Sequence, residues 1–137
     1  MAGEAEAAVR YGPVVLDTDL TSGGTDVDLD AAAPVSASTL PRGTDLFVSP
    51  TTGVPGLDSP GSALTLAPLP GSGPAPTEDE CAEAVEDRGT YTVEARRGAR
   101  FCLTTSEGRT AYLRVLSAPP GGTTPRFEVT VWDPPGA

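Results

Sequence analysis

The sequence predicts a mainly β domain, a small antiparallel β-sandwich or partly open barrel carrying one short α-helix. Three observations lead there. Sixteen glycines and fifteen prolines in 137 residues punctuate the chain so often that long helices have no room. Between these breaks lie seven or eight short apolar runs, spaced as strands joined by turns. In the second half several runs alternate apolar and polar residues with period two, as in a strand with one face in a core and one in water.

Taken in order, residues 1–10 read as a flexible, acidic N-terminal segment. Val14-Val15-Leu16, Val27–Leu29, Leu46–Val48 and Leu64–Leu66 are the strand cores of the first half, separated by Gly/Pro/Ser loops. Thr77 with Glu80 three residues on is a capping-box signature, and Glu78, Asp79 and Glu80 place negative charge where a helix dipole favours it. Cys81 and Val85 then share a face of a helix of two to three turns, which ends at Asp87-Arg88-Gly89. Thr90–Ala95 alternates strictly. Arg100–Thr105 and Arg109–Ser117 form strands about the hairpin loop Ser106-Glu107-Gly108, with Ala111, Leu113 and Val115 on one face of the second and Tyr112, Arg114 and Leu116 on the other. Arg126–Trp132 turns Phe127, Val129 and Val131 toward the core, and residues 133–137 are a flexible tail. Residues 11–132 therefore make one β-rich domain, the length having room for a single core.

Charge excludes more than it identifies. Nineteen acids face nine arginines and no lysine, a net charge of −10 that repels nucleic-acid backbones and anionic membrane surfaces. No apolar run approaches the ~20 residues that span a bilayer, and MAGEAEAAVR lacks the apolar stretch of a signal peptide. The expected partner is a protein or small molecule, with no nucleic acid and no direct membrane insertion of this segment.

Cys81 and Cys102 are the two cysteines, with twenty residues between them. With no histidine in the chain and no C-x-x-C spacing, the usual zinc ligand sets are missing, and a nucleophilic thiol would lack its usual base. The pair reads as a structural disulfide, which closing such a loop makes worth roughly 3 kcal/mol. Two buried free thiols, or one reactive cysteine, are the alternatives. A disulfide implies an oxidising, extracytoplasmic or secreted setting.

Asp17 and Asp19 are followed by Asp26, Asp28 and Asp30, with Val27 and Leu29 between the last three. In a strand those three aspartates share one face. The D-x-D spacing offers oxygen ligands for calcium from Asp17, Asp19, Asp26 and Asp28, yet the register departs from an EF-hand: Ser22 stands where the tight-turn glycine belongs. The plainer reading is a solvated face that discourages edge-to-edge strand pairing, its charge offset by Arg109, Arg114 or Arg126. No metal site is assigned.

Catalytic signatures are missing as well: no G-x-S-x-G elbow, no phosphate-binding glycine loop, no dinucleotide fingerprint and no histidine for proton transfer. The sequence is read as non-catalytic and without a cofactor. Trp132 and Tyr112, out of phase with the core residues of their strands, are the candidate binding contacts; the alternative for Trp132 is to cap the second face of the sheet.

Four stretches, Val27–Asp30, Thr44–Phe47, Cys81–Val85 and above all Gly98–Val115 (GARFCLTTSEGRTAYLRV), resemble a C-terminal or extracytoplasmic β-rich module of actinobacterial signalling and membrane proteins. The pattern is a DLD strand, a cysteine before a short helix, and G-x-x-F-C-L-x-T-x-x-G-R-x-A-x-L-x-V. The resemblance implies a sensor or interaction role and carries over no catalytic or ligand residues. The sequence departs from that context in showing neither an adjoining membrane segment nor an effector domain. The reading is thus a non-catalytic sensor or interaction domain of a bacterial secreted or membrane-associated protein. A secreted protease inhibitor and a calcium-dependent adhesion or carbohydrate-binding module are the alternatives.

Overall fold

A computed structural model describes residues 8–18, 25–31, 34–37, 44–49, 55–60, 63–117 and 125–133. Ten strands and one helix follow in the order β1 (Val9–Asp17), β2 (Thr25–Asp28), β3 (Val35–Ala37), β4 (Leu46–Ser49), β5 (Gly56–Asp58), β6 (Leu66–Leu69), α1 (Glu78–Arg88), β7 (Thr92–Glu94), β8 (Arg100–Thr104), β9 (Thr110–Ser117) and β10 (Arg126–Trp132). They build two five-stranded antiparallel sheets, β1-β10-β9-β8-β6 and β3-β2-β4-β5-β7. The fold is a small open β-sandwich with one short helix, as its turn-rich composition predicts.

The inner faces of the sheets meet in one core. Phe101, Leu103, Leu113, Val115, Phe127 and Val129 come from the first sheet, and Val27, Leu46, Val48 and Leu57 from the second. The alternation of β9 and β10 holds: Ala111, Leu113, Val115, Phe127, Val129 and Val131 are all buried. Val27 in β2 and Leu29 just after it go fully inward. Pro68 sits in β6, the edge of the first sheet, where a missing N–H costs no ladder bond.

The helix lies on the outer face of the first sheet, against β6, β8 and β9. Its start is the expected capping box: Thr77 Oγ1 accepts from the Glu80 N–H, and the Glu80 carboxylate accepts from the Thr77 N–H at 2.8 Å. Cys81 and Ala84 are its buried residues. The glycine that ends it is required by space and not by a left-handed backbone. Gly89 has φ −57, and a Cβ there would collide with the carbonyl oxygens of Leu64 and Val85. Cys81 and Cys102 form a disulfide with Cα atoms 5.3 Å apart, and Tyr112, Trp132, Leu69 and Val85 pack around it.

Several expectations change. Strands β3 and β5 fall in stretches read as loops; three residues each are too few for alternation to register. Strand β1 begins at Val9, inside the segment expected to be flexible, because Val9 pairs with Trp132. Leu64 is exposed and β6 starts at Leu66. Strand β2 lies between β3 and β4, so its aspartates do not guard a sheet edge. Asp30 leaves the predicted ladder altogether: the strand ends at Asp28, the chain bends, and the Asp30 side chain turns inward.

Candidate functional site

Two polar assemblies occupy opposite ends of β8 and β9. The first holds the hairpin tip that joins these strands. Asp30 accepts hydrogen bonds from Thr105 Oγ1 at 2.7 Å, Arg109 Nη1 at 2.9 Å, the Glu107 N–H at 3.1 Å and Ser106 Oγ at 3.2 Å. Asp45, immediately before β4, accepts from the Leu29 N–H at 2.6 Å and the Ser106 N–H at 2.7 Å. Burial alone would raise the Asp30 carboxyl, but its four donors outweigh that and hold it below its ordinary value. For Asp45 the balance falls the other way. Burial pushes it up to about 6, its two N–H donors offset this in part, and the charge of Asp30 adds to the rise. Tyr11 donates to the Leu29 carbonyl at 2.7 Å, and its hydroxyl is raised by burial first and then by Asp45, Asp28 and Asp30.

Asp28, Asp30 and Asp45 each offer a carboxylate oxygen within 4.8 Å of the others. The cationic partner of this cluster is Arg109, which bridges Asp30 to Asp133 at 2.9 Å on each side. Both oxygens of Asp30 and both of Asp45 already accept from protein donors, so the arrangement works as a lock between the second sheet and the hairpin tip. The calcium set read from the sequence is not brought together as one group. Asp17 lies in β1 of the first sheet and pairs with Arg126 at 2.5 Å, Asp26 and Asp28 lie in β2 of the second, and Asp19 falls outside the described residues. Of the three arginines expected to offset the aspartates, Arg109 and Arg126 do so and Arg114 does not.

Arg114 belongs to the second assembly, a groove of about 470 Å³ on the outer face of the first sheet, beside the helix. The sheet register sets its floor: Arg100 in β8 is the direct partner of Arg114 in β9, which is in turn the partner of Glu128 in β10. Gly71, Ser72, Gly73 and Ala75 form one wall, Arg97 and Gly98 another, and Tyr112 also lines it. Arg100 is the organiser. Its guanidinium is buried, and it donates to the carbonyls of Pro70 at 2.8 Å, Ser72 at 2.9 Å, Pro74 at 3.0 Å and Gly73 at 3.4 Å. One side chain thereby folds a loop that has no regular structure. A fifth bond reaches the Tyr112 hydroxyl at 3.3 Å. At 6.0 Å from the ring centroid the guanidinium stands at the limit of cation–π contact, so the hydroxyl is the closer interaction.

Of the two aromatic candidates, Tyr112 lines this groove, while Trp132 is buried against the disulfide and caps the second face of the sheet. Sequence reasoning passed over Asp45, whose partner Ser106 lies 61 residues away. It also passed over the arginine pair, although a signal existed: a hairpin centred on Glu107 sets Arg100 opposite Arg114.

Comparison with protein-family models, with curated proteins and with solved structures gives no match for this chain.

Proposed function

We propose that the chain is a non-catalytic sensor or interaction domain of an extracytoplasmic protein, and that the groove beside the helix is where it takes its ligand. The observation that carries this reading is the groove itself, a concavity of the size small ligands fill, with charged and hydrogen-bonding groups converging on it. One wall is fixed in place, the 70–74 loop being held by Arg100, and Tyr112 in the lining packs against the Cys81–Cys102 disulfide. Such preorganisation lowers the ordering cost of binding. The carboxyl that burial drives toward neutral pH, Asp45, is at the far hairpin end, committed to two backbone N–H groups and away from the groove, which favours binding over proton transfer. The disulfide supports an oxidising compartment, and no helix among the described residues is long and apolar enough to cross a membrane.

Thermal unfolding against a panel of small molecules and short peptides tests the reading, using the chain and an Ala75→Trp variant whose indole fills the groove from an exposed position. At least one compound is expected to raise Tm in the parent and to leave the variant unmoved, because only ligand bound to the folded state stabilises it. A panel with no effect, or shifts that persist in Ala75→Trp, would refute the assignment.

A further inference from the structure

We infer that the groove recognises a small oxyanion, a ligand presenting two or more negative charges as carboxylate or phosphate groups; this rests on reading the groove as the binding site. The first ground is the register. Arg100 and Arg114 are direct cross-strand partners, and like charges so placed repel. Arg97 adds a third positive charge to the same lining, against Glu128 as the one acid there.

The second ground is what these arginines lack. In a chain of net charge −10, Arg10, Arg96, Arg109 and Arg126 pair with carboxylates, and Arg88, which has no ion pair among the described residues, stands in the last turn of α1 where the helix dipole favours a cation. Among the described residues no carboxylate lies within ion-pair distance of Arg97, Arg100 or Arg114. The Arg100 guanidinium is buried and donates its hydrogen bonds to neutral carbonyls and a phenol, which leave its charge without a counter-ion. A protein with a surplus of acids has nonetheless gathered three unpaired cations around one concavity.

The third ground is the donor set. Arg97 and Arg114 are exposed and present planar forks suited to two-oxygen recognition. Tyr112 Oη accepts from Arg100, so its own proton is left to donate. The size of the groove and the charge of the chain restrict the ligand to a small anion, since an extended polyanion would be repelled beyond the groove.

The test is ¹H–¹⁵N NMR titration of the disulfide-bonded chain at constant ionic strength with three probes: citrate, pyrophosphate and neutral glucose. Citrate or pyrophosphate is expected to give saturable shifts at the amides of Gly98, Arg100, Tyr112 and Arg114, and the stronger of the two identifies carboxylate or phosphate as the preferred group. Arg114→Gln is expected to weaken that affinity about tenfold, as loss of one charge-assisted bond requires, whereas Arg88→Gln, the same charge change on the helix, leaves it within about twofold. Non-saturating shifts with both anions, or equal affinity in Arg114→Gln and Arg88→Gln, overturn the inference. Glucose saturating the groove while the anions do not overturns it too, yet leaves the groove standing as a binding site; failure of all three probes leaves that broader reading to the panel and the Ala75→Trp comparison.

Discussion

Acidification should strengthen this fold between pH 7 and pH 4.5, and Asp45 is the residue responsible. Its carboxyl is buried, and its pKa rises from 3.8 to about 6. A carboxyl raised in this way holds its proton more tightly in the folded than in the unfolded chain. Between the two values the folded state therefore binds more protons, and lowering the pH favours folding. That rise corresponds to about 3 kcal/mol at most, of which roughly 2 kcal/mol develops between pH 7 and pH 4.5. Asp30 works with the opposite sign, being held below its ordinary value: its contribution is present above 3.8 and is lost only as the pH falls further, outside that window. Relief of repulsion in so acidic a chain also helps at low pH. The reading is therefore the difference between two proteins. Urea unfolding at pH 7 and pH 4.5 should give the parent about 2 kcal/mol more pH-dependent gain than Asp45→Asn, whatever the absolute stability of that variant. Equal gains in the two proteins, or a carboxyl ¹³C titration placing Asp45 at its ordinary value, would show the reasoning to be wrong.

Three further outcomes follow from the geometry. Reduction, or the double substitution Cys81→Ser with Cys102→Ser, should lower stability by about 3 kcal/mol through the freedom restored to the unfolded chain, while intact mass under denaturing conditions rises by two hydrogen atoms on reduction by an added thiol or phosphine. Millimolar calcium and EDTA should each leave Tm unchanged, because Arg109 already supplies the positive charge at Asp30; a calcium-dependent rise in Tm would contradict the lock. Arg100→Lys should cost about 1–3 kcal/mol, read by urea unfolding, since an ammonium has too few donors for the carbonyls that the guanidinium serves.

What was legible in the sequence is what local pattern decides. The β9–β10 part of the meander could be read because Leu113 and Val115, and Val129 and Val131, recur on the face that meets the core, whereas β8 is buried on both faces, its outer side lying under the helix. The helix start was written in Thr77 and Glu80, which bond to each other. Strand β5 was illegible for a physical reason: Gly56–Asp58 owes its existence to pairing with β4 and β7, not to its own preference. Strand β1 was blurred by Gly12 and Pro13, where the register with β10 shifts. Asp45 looked like one acid among nineteen, and its burial depends on the distant hairpin tip that covers it. The groove lay between these extremes, with its floor contained in the hairpin register and its wall in the carbonyls of a proline- and glycine-rich loop that no periodicity describes.

That wall is shaped through main-chain oxygens, and this separates its form from its lettering. Any residue that keeps the path of the chain still presents the same carbonyls to Arg100, so the side chains of Ser72 and Ala75 are spectators to the shape they border. Related domains can accordingly diverge at these two positions while keeping an identical frame. For an engineer they are the natural places to randomise when a new specificity is sought on an unaltered scaffold.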